Sequence, residues 1–149
     1  MHILIVSNAK IPVSKYGGTE RVMWWLGREL VRLGHKVTYV VAAGSLCPFA
    51  RVLILDPVKD MNQQVPDDVD VVHFQLPVHH FTKKPYIVTV HDNPRNGAAL
   101  DDNSVFISAN HAIRHGSSNF VYNGIDLADY GLPDLNTKRV ILVGSKSLF

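Results

Sequence analysis

Two glycines and two histidines carry most of the chemistry within reach of these 149 residues. Gly17-Gly18 stands where a long loop, Asn8 to Tyr16, meets the start of a candidate helix. Glycines there let backbone amides come close to a ligand, and a helix N-terminus favours anions such as phosphate. A turn that merely needs glycine accounts for the pair equally well. His91 closes the apolar run in Thr89-Val90-His91-Asp92-Asn93. A histidine can donate to a sugar hydroxyl or a phosphate without permanent charge, the alternative being a capping or buried structural residue. His73 ends the preceding run and can reach the same cleft, whereas His79-His80 fall in a following loop and read as solvent-exposed.

Several familiar chemistries are excluded. No G-x-G-x-x-G opens the first turn, and no GK[ST] follows any glycine, which removes the dinucleotide fingerprint and the P-loop. The histidines lack a metal-ligand spacing such as H-E-x-x-H, and Cys47 is the sole cysteine, so neither a metal site nor an internal disulfide is expected. Arg21, Arg28 and Arg32 share one side of the candidate helix, and Lys83-Lys84 form a second small basic cluster. Anionic lipid headgroups could bind there, making peripheral membrane contact a minor expectation beside an ordinary solvated helix face.

The elements that must position these residues follow from the apolar pattern. Short runs lacking polar alternation recur at Ile3 to Ser7, Val37 to Ala42, Val52 to Leu55, Val69 to Phe74, Tyr86 to Val90, Ser104 to Ser108, Asn119 to Tyr122 and Val140 to Val143. Such runs indicate strands covered on both faces, as in a parallel sheet between helices. The expected helix starts near Thr19, which would cap it, carries Met23, Leu26, Leu30 and Leu33 on one face, and ends at Gly34. Val58 to Asp68 and Asp92 to Asn103 read as loops or short helices. The fold class expected is therefore α/β, a Rossmann-like three-layer arrangement of a parallel sheet flanked by helices. In open sheets of this kind ligands bind beyond the carboxyl ends of the strands, which would bring His91 into the crevice of Gly17-Gly18.

Composition agrees with a folded domain: hydrophobic residues make up 46% and charged residues 19%. A chain of this length buries roughly 70% of its unfolded surface. The net charge of +2 is too small for nucleic acid as a partner. No apolar run approaches the ~20 residues a membrane span needs, and a reducing, cytoplasmic compartment is expected, with membrane association as a variant.

A composite pattern resembles a known family. Gly17-Gly18-Thr19-Glu20, the spaced leucines and Gly34-His35-Lys36-Val37 are similar to the opening of retaining GT-B glycosyltransferases of the family 4-like group. Asp70-Val71-Val72-His73, Thr89-Val90-His91-Asp92 and Tyr122-Asn123-Gly124-Ile125-Asp126 resemble its later strand ends and the segment before its interdomain linker, in the same order. The resemblance implies the N-terminal half of a GT-B fold, with residues 1–130 as a Rossmann-like domain and 131–149 as a linker and first strand of a second domain. It implies sugar transfer, with retention, from a nucleotide sugar to a glycan, lipid or small-molecule hydroxyl, without a metal or other cofactor. Gly17 and Gly18 would approach the donor's phosphate or sugar, His73 would line the cleft, and His91 would touch the transferred sugar or reacting region. Asn123 and Asp126 would be structural.

The pattern also departs from the family. Its second domain opens with a strand followed by Gly-Arg, whereas Gly144 is followed here by Ser145. The resemblance places most of the nucleotide pocket in that second domain, so these residues alone are expected to be inactive, and apolar surface meant for the second domain could drive self-association. The alternatives are a noncatalytic sugar-binding module or one half of a split transferase completed by a second chain. A nicotinamide-dependent oxidoreductase ranks last, for want of the fingerprint.

Overall fold

The computed structural model describes residues 1–13, 17–78, 80–93 and 100–130. Six strands appear in the order of the apolar runs: β1 (His2–Val6), β2 (Lys36–Val41), β3 (Arg51–Ile54), β4 (Val71–Phe74), β5 (Tyr86–Val90) and β6 (Ser104–Phe106). They form one sheet of order β3-β2-β1-β4-β5-β6, and every pairing is parallel. The α/β, Rossmann-like class read from the sequence is the observed one. β1 is central and buried along its whole length, which is why it carries no polar alternation.

Alternate side chains of the strands feed two cores. Leu4, Val6, Val40, Val72, Phe74 and Val88 pack with Val65, Val69 and Phe81 on one face. Ile3, Ile5, Val37, Tyr39 and Val41 pack with Met23 and Ile11 on the other, beneath α1 (Gly18–Arg32). The first face is covered by the stretch containing α2 (Met61–Gln64), whose N-cap Asp60 accepts from the Asn62 amide at 2.7 Å. Helix α3 (Ala109–Arg114) follows β6 and sets His111 against Phe106.

Helix α1 departs from expectation at its start. Gly17, not Thr19, is the N-cap, and no side chain caps the helix. Gly17 has φ 147°, and a Cβ there would lie 2.7 Å from Glu20 Oε2, so only glycine admits the Glu20 side chain folded back over the helix start. The far end behaves as expected: Leu33 is the C-cap and Gly34 adopts φ 86°. Of the four residues expected on one face, Met23 is buried, while Leu33 is 59% exposed because it lies past the last helical turn. Gly27 earns its place by contact, since Tyr39 packs where its Cβ would be.

The Asn119 to Tyr122 run is not a regular strand; it makes one parallel bridge, Phe106 to Phe120. The chain then carries exposed apolar side chains, Val121 (68%), Tyr122 (66%), Ile125 (61%) and Leu127 (72%). The expected strand at Val140 to Val143 and the expected linker over 131–149 lie outside the described residues, as do His79 and residues 94–99 of the Asp92 to Asn103 stretch. Among the described residues no helix is long and apolar enough to cross a membrane.

Candidate functional site

The α1 side of the sheet is packed over β1 and β2 but forms an open floor over β4, β5 and β6. Strand periodicity sends His73 and Gln75 from one chain segment, and Ile87, Thr89 and His91 from its neighbour, to this same face. The floor, one flank of α1 (Val22, Trp25, Leu26, Glu29) and the segment 121–127 enclose a groove of about 660 Å³. Its walls are mostly apolar but include Arg28, Glu29, Asn123 and Asp126, and its floor carries His73, Gln75, Thr89 and His91.

Those polar groups meet diagonally across the strands. β4 and β5 pair with His73 opposite Ile87, so each long side chain reaches a residue two positions further along. His73 Nε2 and Thr89 Oγ1 share a hydrogen bond of 2.6 Å, and His91 Nε2 and Gln75 Oε1 share one of 2.7 Å. With the Gln75 oxygen as acceptor, His91 carries its proton on Nε2 and presents Nδ1 as a lone-pair acceptor. Gln75 Nε2 is left buried with no hydrogen-bond partner.

Burial governs the charge of both histidines. Desolvation pushes the His73 pKa down to about 4, and the nearby His91 adds to the shift. His91 is also lowered by burial, against the opposing pull of Asp92 and Glu20 and with a further lowering from His111. Both imidazoles are therefore neutral at neutral pH, able to donate and accept without a counter-ion.

Segment 121–130 is fastened to α1 at the mouth of the groove. Asp126 starts the short 3₁₀ turn Leu127–Asp129 by accepting from the Ala128 amide at 2.9 Å. Its other carboxylate oxygen pairs with the Arg28 guanidinium. Asp129 lies 3.3 Å from Arg28 and accepts from the Trp25 indole, and that indole bond is the main cause of its lowered pKa. Tyr130 packs beside Trp25, with ring centroids 6.0 Å apart.

Of the four residues singled out in the sequence, His73 and His91 are brought together on one floor. Gly17 and Gly18 do not line the groove. The φ of Gly17 and its closeness to Glu20 and Val13 explain that glycine locally, while a Cβ on Gly18 would meet open space. Glu20 links the helix start to the site, since its charge acts on His91. His80 is exposed, and its carbonyl accepts from Asn62. The basic clusters are largely engaged: Arg32 pairs with Glu29, Arg28 with Asp126 and Asp129, and Lys83 with Asp67. Among the described residues no group of three histidine, cysteine or acidic side chains is placed to hold a metal ion.

Sequence reasoning missed Gln75 and the Trp25-Arg28 attachment. Gln75 was detectable in principle, because residues 73 and 75 of one strand must share a face. No family model matches this chain, and a search of curated proteins finds no significant match.

Proposed function

We propose that this chain is the acceptor-side half of a retaining glycosyltransferase that uses a nucleotide sugar. The observation that carries the reading is the pair of neutral histidines, His73 and His91, on the floor of a groove at adjacent parallel strands. These are the two strands on which the Asp-Val-Val-His and Thr-Val-His-Asp resemblances fall. His91 contacts the transferred sugar or the reacting hydroxyl, and the Gln75 bond orients its ring. His73, held by Thr89, lines the cleft beneath. The mainly apolar walls accept the less polar body of the acceptor, with its hydroxyl toward the floor.

Transfer also requires positive charge around the departing diphosphate. The guanidinium at the groove, Arg28, is committed to Asp126 and Asp129. We therefore expect no substantial transfer from these residues alone, with the diphosphate-binding groups supplied by a second domain or chain. That same commitment of Arg28 favours, as a second reading, a noncatalytic sugar-binding module.

The test is an NMR titration with a panel of nucleotide sugars and hydroxylated acceptors, following the His73 and His91 imidazoles. Saturable shifts in wild type that are lost in His91→Ala are expected. A panel that leaves both imidazoles unmoved refutes both readings. Turnover matching an intact enzyme's, in a nucleotide-sugar assay on the chain alone, refutes the expected dependence on a second domain. Co-purification of a Rossmann-like partner that restores transfer separates the split transferase from the binding module.

A further inference from the structure

We propose that a second, smaller cavity beside the groove binds a phosphate-class oxyanion, either inorganic phosphate or a phosphate monoester. The cavity has a volume of about 260 Å³ and is lined by His91, Asn93, Ser108, Asn110, His111 and Arg114, with Ile107 as its apolar side. The proposal requires no sugar transfer and stands apart from the transferase reading.

Three observations point to an anion. First, His111 is only 8% exposed, yet its Nε2 has no hydrogen-bond partner. Buried polar atoms are normally satisfied, and this ring is held edge-on to Phe106 at 4.9 Å. Second, the exposed Arg114 makes no hydrogen bond or ion pair among the described residues, in contrast to Arg28 and Arg32. Third, the remaining polar lining can supply donors. Ser108 Oγ already accepts from the His111 amide at 3.1 Å, which leaves its hydroxyl proton to donate, and Asn93 and Asn110 bring amide groups. Among the described residues no carboxylate lines the cavity, and Asp92 acts on its two imidazoles from beside it, so the lining suits a ligand made of acceptors better than a cation. His91 lines this cavity and the groove alike, so an ester phosphate held here directs its organic part toward the groove.

The groups facing the two imidazoles are Arg114 of α3 and its C-cap His115, Asp92 after β5, and Glu20 of α1 through His91. Burial, His115 and Arg114 hold His111 below its ordinary pKa, with Asp92 opposing. In the neutral state His91 presents a lone pair here, and His111 gives a proton to the Asp92 backbone, so an anion is held with the imidazoles protonated and raises the pKa of both histidines.

The experiment titrates the 149-residue chain with inorganic phosphate and with glycerol phosphate, against sodium chloride at matched ionic strength, and follows the His91 and His111 imidazole resonances. Saturable shifts at both histidines with phosphate, absent with chloride, are expected. Arg114→Gln, at an exposed position where folding is not at stake, is expected to weaken binding roughly tenfold or more, the scale of a lost charge-assisted hydrogen bond. Tighter binding of glycerol phosphate identifies an ester as the ligand, and equal binding identifies the free ion. Shifts no larger than those with chloride overturn the proposal, as does undiminished binding in Arg114→Gln.

Discussion

Replacing His73 tests whether the groove floor is as dry as its geometry implies. The imidazole pKa is pushed down to about 4 by burial, with His91 adding to the shift, against an ordinary value of 6.5. A histidine with a depressed folded pKa keeps its stability contribution above the unfolded value and loses it as pH falls toward the folded one. Between pH 6.5 and about 4 the unfolded chain binds a proton that the native floor refuses. Each pH unit in that window costs up to about 1.4 kcal/mol, so His73 alone removes about 2 kcal/mol between pH 7 and pH 5. His91 and His111 are also lowered and add in the same direction, so the effect of His73 has to be isolated by difference. His73→Gln keeps an amide to face Thr89 and removes the titration. Urea unfolding at a series of pH values should show wild type losing about 2 kcal/mol more than His73→Gln over that interval. Parallel stability curves, or an imidazole resonance titrating near 6.5, would mean that water reaches the floor and that the neutral-histidine site is misread.

Two further substitutions probe the frame around the groove. In Gly27→Ala the new Cβ would sit 1.8 Å from Tyr39 Oη and 2.6 Å from its Cζ. Overpacking of about 1–3 kcal/mol should outweigh the gain of roughly 1 kcal/mol in helix propensity. Adding Tyr39→Phe should recover only part of the loss in a urea double-mutant cycle, because the ring carbon still intrudes; a stabilised single variant contradicts the packing. Arg28→Ala removes ion pairs whose members are each 37% exposed and screened by solvent, so global stability should change little. Hydrogen exchange at the 126–130 amides should nevertheless quicken while α1 stays protected, and unchanged exchange there would show that Arg28 does not hold the segment.

The centre of the sheet was legible because β1 and β2 are buried on both faces and therefore apolar almost without interruption. Ile3 to Val6 and Val37 to Val41 have no solvent-facing positions to encode, so their boundaries nearly coincide with the apolar runs. The start of α1 was not legible for a related reason. Thr19 has a side chain suited to capping, but the backbone at Gly17, with a φ of 147° that favours glycine, places the cap two residues earlier. Asn119 to Tyr122 failed as a strand because apolarity there does not come from sheet burial. Its side chains wall a groove and remain open to solvent, which a hydrophobic count cannot distinguish from a core strand.

The site was half legible, and the division follows sequence distance. His73 and His91 stood out because each lies at the carboxyl end of a strand, one residue before the end of β4 and one after the end of β5, and such ends in parallel sheets converge on one edge. Their partners are fixed by inter-strand register, which sequence periodicity leaves open. Alternation puts Gln75 on the face of His73, yet only the pairing of His73 opposite Ile87 makes Gln75 meet His91 and Thr89 meet His73. The reading of Arg28 as part of a solvated face failed more completely, since its partners lie 98 and 101 residues away. Helical spacing describes which residues share a face but not what arrives to cover it. Here a distant acidic segment does so, and it turns an apparently open helix flank into one wall of the groove.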